Sequence, residues 1–224
     1  MKPSESSSMS EVRAQRRAEL DAPRVDTRTA ILRAIERTVE EYPLHTLSVA
    51  QIIEAAGVSR GAFYSYFESK YDAAGALITD LIDEALELWK PYLEQGHADP
   101  LGNLTAALRD SLDLWEAHRG IGFTYHQYWH SVPELRDQWM SNFERFVASM
   151  AEALDGARAR GTLPPGEDSH KLASAGMWMT EQLISVSLTG ASKDLEDREF
   201  VLQSIVRMWI GLLFGDRWPE GSGS

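Results

Sequence analysis

Ser59, Arg60, Gly61, Tyr64, Tyr66 and Lys70 fall within twelve residues of one another. These residue types can read and grip a nucleic-acid duplex. An arginine pairs in bidentate fashion with a guanine edge in the major groove. A glycine beside it lets the backbone approach closely. Tyrosine hydroxyls reach phosphates. Ser48, Ser59 and Lys70 each stand where a helix begins, and free backbone N–H groups there favour phosphate.

A second concentration is aromatic. Trp89, Tyr92, Trp115, Phe123, Tyr125, Tyr128, Trp129, Trp139, Phe143 and Phe146 lie between residues 89 and 150. Ligand cavities are mostly apolar and aromatic, with few polar groups. A core that needs only density more typically uses Leu and Ile. Any one of these rings taken alone reads as core, and together they suggest a cavity. His126 and His130 stand four apart, the spacing of two metal ligands on one helix face, with His118 or Glu134 as a third. No carboxylate is evident to orient them, so they read as surface or pocket-edge histidines, and no metal or other cofactor is expected. Glu181 lies among Met177, Met179, Leu183 and Ile184. It fits a pocket edge, an ion pair across a dimer, or a solvated position.

The elements that must hold these groups are helical almost throughout. Ala30, Ile31, Ala34, Ile35, Thr38 and Val39 fall on one face of a helix from about 26 to 41, ended by Pro43. Ser48 and Gln51 form a capping box that opens a short helix. Gly57 ends it, since glycine takes the left-handed cap without strain. Ser59 caps a third helix, about 60–66. Ser69 caps a fourth that runs to about Trp89. Further helices read at about 101–118, 120–130, 133–160, 168–190 and 196–215. No segment alternates with period two. The expectation is an all-α chain of about nine helices: a three-helix head carrying a helix-turn-helix, then a six-helix body.

The expected divisions are a basic arm at 1–25, the helix-turn-helix head at 26–72, the body at 73–218 and a flexible tail at 219–224. The arm is too polar to fold alone. Arg13, Arg16, Arg17 and Arg24, with Arg28 just beyond, make it basic. The chain of 224 residues has a net charge of −12, unevenly spread. Residues 1–75 carry 10 basic and 11 acidic groups, and residues 76–224 carry 12 and 23. A near-neutral head on an acidic body is compatible with DNA binding through the head. With no cysteine, disulfides, thiolate metal sites and cysteine nucleophiles are excluded. The longest apolar run, 208–214, is far short of the roughly 20 residues of a membrane span. No leader segment is seen, and a cytoplasmic location is the simplest expectation. An enzyme reading lacks a nucleophile elbow, a phosphate loop or a paired-carboxylate motif.

The run from Ile52 to Lys70, IIEAAGVSRGAFYSYFESK, closely resembles the tetracycline-repressor (TetR) family. Its Gly-Val-Ser, then Phe-Tyr-x-Tyr-Phe, then Ser-Lys pattern is far more specific than a bare helix-turn-helix. The likeness is strong over about 27–75. Ala62 stands where the family commonly has Thr, and Tyr71-Asp72 where it commonly has Glu-Ala. The resemblance implies a homodimeric repressor, released from a double-stranded DNA operator when a small molecule binds the body. A regulator that activates, or that answers to a protein partner, is the alternative.

More weakly, the body resembles the mycobacterial-type repressor of the ethionamide-activating monooxygenase. The matching residues are 135–139, 157–161, Met179-Thr180-Glu181 and Val206-Arg207-Met208-Trp209. That resemblance implies an elongated apolar pocket and places Trp115, Trp139, Phe143, Phe146, Met150, Met177, Thr180 and Trp209 on its wall. Met177 and Thr180 replace amide side chains common in that relative, which points to a lipophilic effector. The fourth helix is expected to link pocket and head. Residues 168–215 are apolar on more than one face and read as the dimer interface. Small residues Ala173, Ala175, Gly176, Ser185 and Ser187 would permit close approach there.

Overall fold

A computed structural model describes residues 26–95 and 100–215. The expected arm and tail lie outside the described residues. Among the described residues there are nine α-helices, one short 3-10 turn and no strand. The all-α expectation holds.

Three short helices form the head. In α1 (Thr27–Val39), the Asp26 carboxylate accepts from Arg28 N, and Ile31, Leu32, Ala34, Ile35 and Val39 face inward. In α2 (Val49–Ala56), both halves of the Ser48–Gln51 capping box are made. Gly57 closes α2 at φ 65°, in the left-handed region where a Cβ is penalised. In α3 (Arg60–Tyr64), the Ser59 hydroxyl accepts from Ala62 N. This helix ends two residues sooner than the sequence suggests, because Tyr66 N turns back to Phe63 O at 3.0 Å and sends Phe67 inward. Ile31, Ile35, Leu44, Ile52 and Phe63 have no exposed surface and make the head's core.

The body begins with α4 (Lys70–Gln95), which runs through Pro91 and past the expected end near Trp89. Proline breaks a helix by removing one N–H and crowding the preceding turn. Near a helix end that costs little of the hydrogen-bond ladder. Then come α5 (Pro100–Ala117), α6 (Arg119–Tyr128), α7 (Pro133–Ala159), α8 (Ser169–Thr189) and α9 (Arg198–Phe214). Asp168 and Asp197 cap α8 and α9, and Gly190 closes α8 at φ 67°. Helix α4 packs along α5 and α7, and α8 packs on α7 and α9. Helix α1 rests on α4 and α6, so the head is seated on the body through two helices. No helix among the described residues is long and apolar enough to cross a membrane.

Candidate functional site

The outer face of the head presents Arg60, Gly61, Tyr64 and Tyr66, all exposed. The capping hydroxyls of Ser48 and Ser59 hold this face in place, and both residues are exposed beside it. The Arg60 guanidinium lies 5.5 Å from the centre of the Tyr64 ring and forms no ion pair among the described residues. A Cβ built on Gly61 meets nothing nearer than Ser59 Oγ at 4.0 Å, so the fold itself does not need a glycine there. Phe63, on the opposite side of α3, is fully buried and packs against Phe67 with ring centres 5.9 Å apart. One short helix thus has an anchored inner side and a polar outer side.

Two expected contacts are placed differently. The Lys70 ammonium turns inward and donates to His45 O at 2.8 Å and Leu47 O at 2.6 Å. Partial burial lowers its pKa below the usual lysine value. It ties the loop before α2 to the start of α4 and is not turned outward towards a phosphate. Arg28 belongs to α1, where it forms a two-pronged pair with Asp80 of α4, at 2.7 and 2.8 Å. It is no part of a free basic arm.

The body encloses a cavity of about 110 Å³ between α4, α5, α6, α7 and α8. That is roughly ten times the space one water needs. Of the residues that the resemblance places on a pocket wall, Trp115, Trp139, Phe143, Phe146, Met177 and Thr180 line it. Met150 and Trp209 do not. Met150 is one turn beyond Phe146 on the same face and is buried in the core instead. Trp209 is buried between α9 and α8, where its Nε1 donates to Thr180 Oγ1 at 2.9 Å. Thr180 in turn donates to Gly176 O at 2.8 Å. A Cβ at Gly176 would overlap the Trp209 ring. The small residues Ala173 and Gly176 therefore serve packing within the chain and do not open a surface to a partner.

The pattern of α7 could not reveal the rest of the lining. Ile78, Ile82, Ala85 and Trp89 come from α4, and Gly122, Phe123, Tyr125 and His126 from α6. Phe123 is half exposed and sits at the rim. Trp129, Trp139, Phe143 and Trp178 form a chain of tilted rings, with neighbouring centres 4.2 to 6.2 Å apart. Only two lining residues, Glu181 and His126, are ionisable near neutral pH. Glu181 Oε1 lies 3.5 Å from His126 Nδ1, and its side chain is 18% exposed. Burial raises its carboxyl above the usual carboxylate range, and the fields of His126 and His130 offset part of that. At 3.5 Å the approach is too long for a good hydrogen bond. His126 Nδ1 has no other partner. Trp139 Nε1 and Ser185 Oγ, also of lining residues, have none either. Among the described residues no cluster of three metal-ligating side chains occurs.

Between head and cavity stands α6. The Glu36 carboxylate of α1 pairs with His118 Nδ1, just ahead of α6. Glu40 accepts from Gly120 N at 3.1 Å, in the first turn of α6. Negative charge is favoured at that helix end. At the other end Tyr128 bonds His45 of the head. The same helix thus carries head contacts at both ends and cavity lining in its middle. Glu36 in α1 and Glu40 just past its end, four positions apart, both reach the start of α6.

With this geometry the chain resembles known proteins along most of its length. Residues 31–77 match the family described as Bacterial regulatory proteins, tetR family. Residues 104–215 match the family described as Transcriptional regulator EthR, C-terminal domain. The HTH-type transcriptional regulator EthR of Mycobacterium tuberculosis is 25% identical over 192 residues, 85% of this chain and 88% of that relative. The HTH-type transcriptional regulator TtgR of Pseudomonas putida is 30% identical over 156 residues, 67% of this chain and 74% of that one. Among solved structures, the regulator FadR of Bacillus subtilis, in complex with stearoyl-CoA, has a TM-score of 0.68 at 18% identity. The match covers 83% of this chain and 97% of FadR.

Proposed function

The chain belongs to the TetR family of bacterial transcriptional regulators, with a C-terminal domain of the EthR kind, and from that premise we propose that it is a homodimeric repressor released from its operator by a lipophilic small molecule. The observation that carries this is the position of the cavity. Its walls include the middle of α4 and of α6, and both helices also hold the head. A ligand that moves either wall moves the base on which α3 stands. It releases DNA only if it prefers the unbound form, because equal affinity for both forms shifts nothing.

Three further observations support the reading. Arg60, Gly61, Tyr64 and Tyr66 share one exposed surface, and their side chains need nothing from the rest of the fold. The cavity leaves buried polar atoms of His126, Trp139 and Ser185 unpaired, and such atoms are normally satisfied in a complete structure. Helices α8 and α9 keep half-buried apolar residues on their outer sides, among them Met179, Val186, Met208 and Leu212, with Phe200 exposed. A partner copy across 168–215 would cover them. Such a dimer would set two α3 helices about 34 Å apart, one turn of DNA.

The test is selection of bound duplexes from a random pool with the purified protein. The wild type should enrich a two-fold symmetric site. Arg60→Ala should lose about 1–3 kcal/mol on that site and its preference at one base pair per half-site. An unstructured enrichment, or an equal loss on every sequence, would sink the assignment of Arg60 to base reading.

A further inference from the structure

Glu181 is a largely buried carboxylate facing an aromatic cavity, and its single basic neighbour in the wall is His126, at 3.5 Å. We propose that the cavity selects effectors bearing a protonated amine, with Glu181 as the anchor of the nitrogen and the rings as walls around the remainder. The proposal rests on the cavity being the effector site, and names the effector's chemical class.

The wall contains no Lys, Arg or Asp. Glu181 is its single acid, and His126 at 3.5 Å is its single basic neighbour in the wall. Histidine is not a permanent cation. A carboxylate withdrawn from water needs a partner or becomes protonated. An ammonium group would satisfy it with a charge-assisted hydrogen bond, the strongest kind a neutral-pH ligand can offer. Burial already raises the Glu181 pKa, the sign of a carboxylate short of compensation. Of the wall hydroxyls, Ser185 Oγ, one turn from Glu181, is free but carries no charge, while those of Thr180 and Ser111 are occupied. Thr180 is held between Trp209 and Gly176 O, and Ser111 accepts from Trp89 while donating to Ala107 O.

The walls fit the same cation. Eight of the lining residues are Trp, Tyr or Phe. Aromatic faces attract ammonium groups, and most strongly in a desolvated site. The setting adds to this, because residues 76–224 carry 12 basic against 23 acidic groups. A cleft in such a field concentrates cations and repels anions. A carboxylate ligand of the same shape would meet Glu181 with no cation in the wall to offset it.

An apolar cavity of roughly 150 Å³ takes a benzene ring, so the probes are kept near that size: benzylamine, benzyl alcohol and benzoate. They share one apolar body and differ in the head group. Titration calorimetry on the full chain should rank amine over alcohol by at least about tenfold, the worth of a charge-assisted bond over a neutral one. Benzoate should bind worst. Glu181→Gln should bring the amine down to the level of the alcohol, with the melting temperature recorded to show that the variant is folded. The ranking in the wild type decides the matter even where that variant is unstable. Alcohol binding as tight as amine, or an amine preference that survives Glu181→Gln, overturns the proposal. In that event, weakening of every probe by Phe143→Ala leaves the cavity as an effector site. If none of the three probes binds, the effector-site reading falls and the proposal falls with it.

Discussion

The head and the body are completed in opposite ways. In the head, each polar group that shapes the fold has a partner within the chain. Ser48 and Gln51 cap one another, Ser59 caps α3, and Lys70 satisfies two carbonyls of the 45–47 loop. What remains unpaired is outside, on Arg60 and Tyr64. In the body the order is reversed. The surface is laced with ion pairs such as Arg145–Asp83 and Arg109–Glu199, while buried unpaired side-chain atoms lie inside, three of the five among the described residues belonging to the cavity wall. A surface that seeks a partner outward and a cavity that seeks one inward are what a two-ligand protein requires. The difference shows where each ligand is expected without knowing either.

The sharpest way to break that contrast is to make the same cut in both regions. Phe63 is fully buried, with neighbours on all sides. Phe63→Ala should cost about 3–5 kcal/mol, the usual loss for a well-packed ring. Phe146 is also buried, but it faces the cavity on one side and meets Trp89 edge-on at 5.6 Å on another. Atoms that border a void have already forfeited part of their contacts. Phe146→Ala should therefore cost about 1–3 kcal/mol less than Phe63→Ala, while weakening amine-probe binding and leaving DNA affinity without ligand nearly unchanged. Chemical denaturation of the two variants, compared at one temperature, reads the difference. Equal losses would make the body's aromatic face ordinary core.

How far each region was legible follows from the same contrast. The head is written in local signals. Ser48 with Gln51, Gly57, and Ser59 act within three residues, so spacing alone places α2, the turn and α3. The inward face of α7 is equally local, and Trp139, Phe143 and Phe146 could be read from it. The contribution of α6 could not, because Tyr125 and His126 line the cavity only once α6 is pinned by Glu40 and by His45, residues about 80 positions away. Met150 and Trp209 mark the other limit. Helical period puts Met150 on the face of Phe146, yet the cavity stops short of it. A wide ring such as Trp209 goes wherever a glycine makes room, and Gly176 makes room inside the chain. The inward turn of Lys70 is hidden from the sequence for a related reason. Position at a helix start predicts where backbone N–H groups point, but not where a four-carbon side chain will reach.

Lys70 gives the second way to sharpen the contrast, with a smaller effect. If its ammonium belongs to the head's internal framework, Lys70→Met should lower stability by about 1–2 kcal/mol, the cost of leaving partly buried acceptors unpaired. The salt dependence of DNA binding should keep its slope, since no phosphate contact is lost. A phosphate contact would instead flatten the slope of log K against log salt by about 1 per site. Binding titrations at four salt concentrations, beside a melting curve, separate the two. Unchanged stability with a flatter slope would return Lys70 to the outer surface.

The smallest expected effect has the unusual feature of opposite signs in the two measurements. Glycine inside a helix costs about 0.5–1 kcal/mol relative to alanine, through backbone freedom lost on folding. Gly61 lies in α3 without a positive φ, so its conformation does not need glycine. Nor does packing need it, since the nearest atom to an added Cβ is 4.0 Å away. The free protein therefore carries that cost with no return visible inside the fold. An approach of DNA to the α3 backbone beside Arg60 would supply the return, because one methyl group on that surface is enough to hold a helix off a groove floor. Gly61→Ala should thus raise stability by about 0.5–1 kcal/mol and weaken operator binding at the same time. Random-sequence DNA, held through phosphates at a greater distance, should bind as before. A variant that is both more stable and equally good at binding the operator would show that nothing approaches Gly61. The outer face of α3 would then lose its claim to lie deep in the groove.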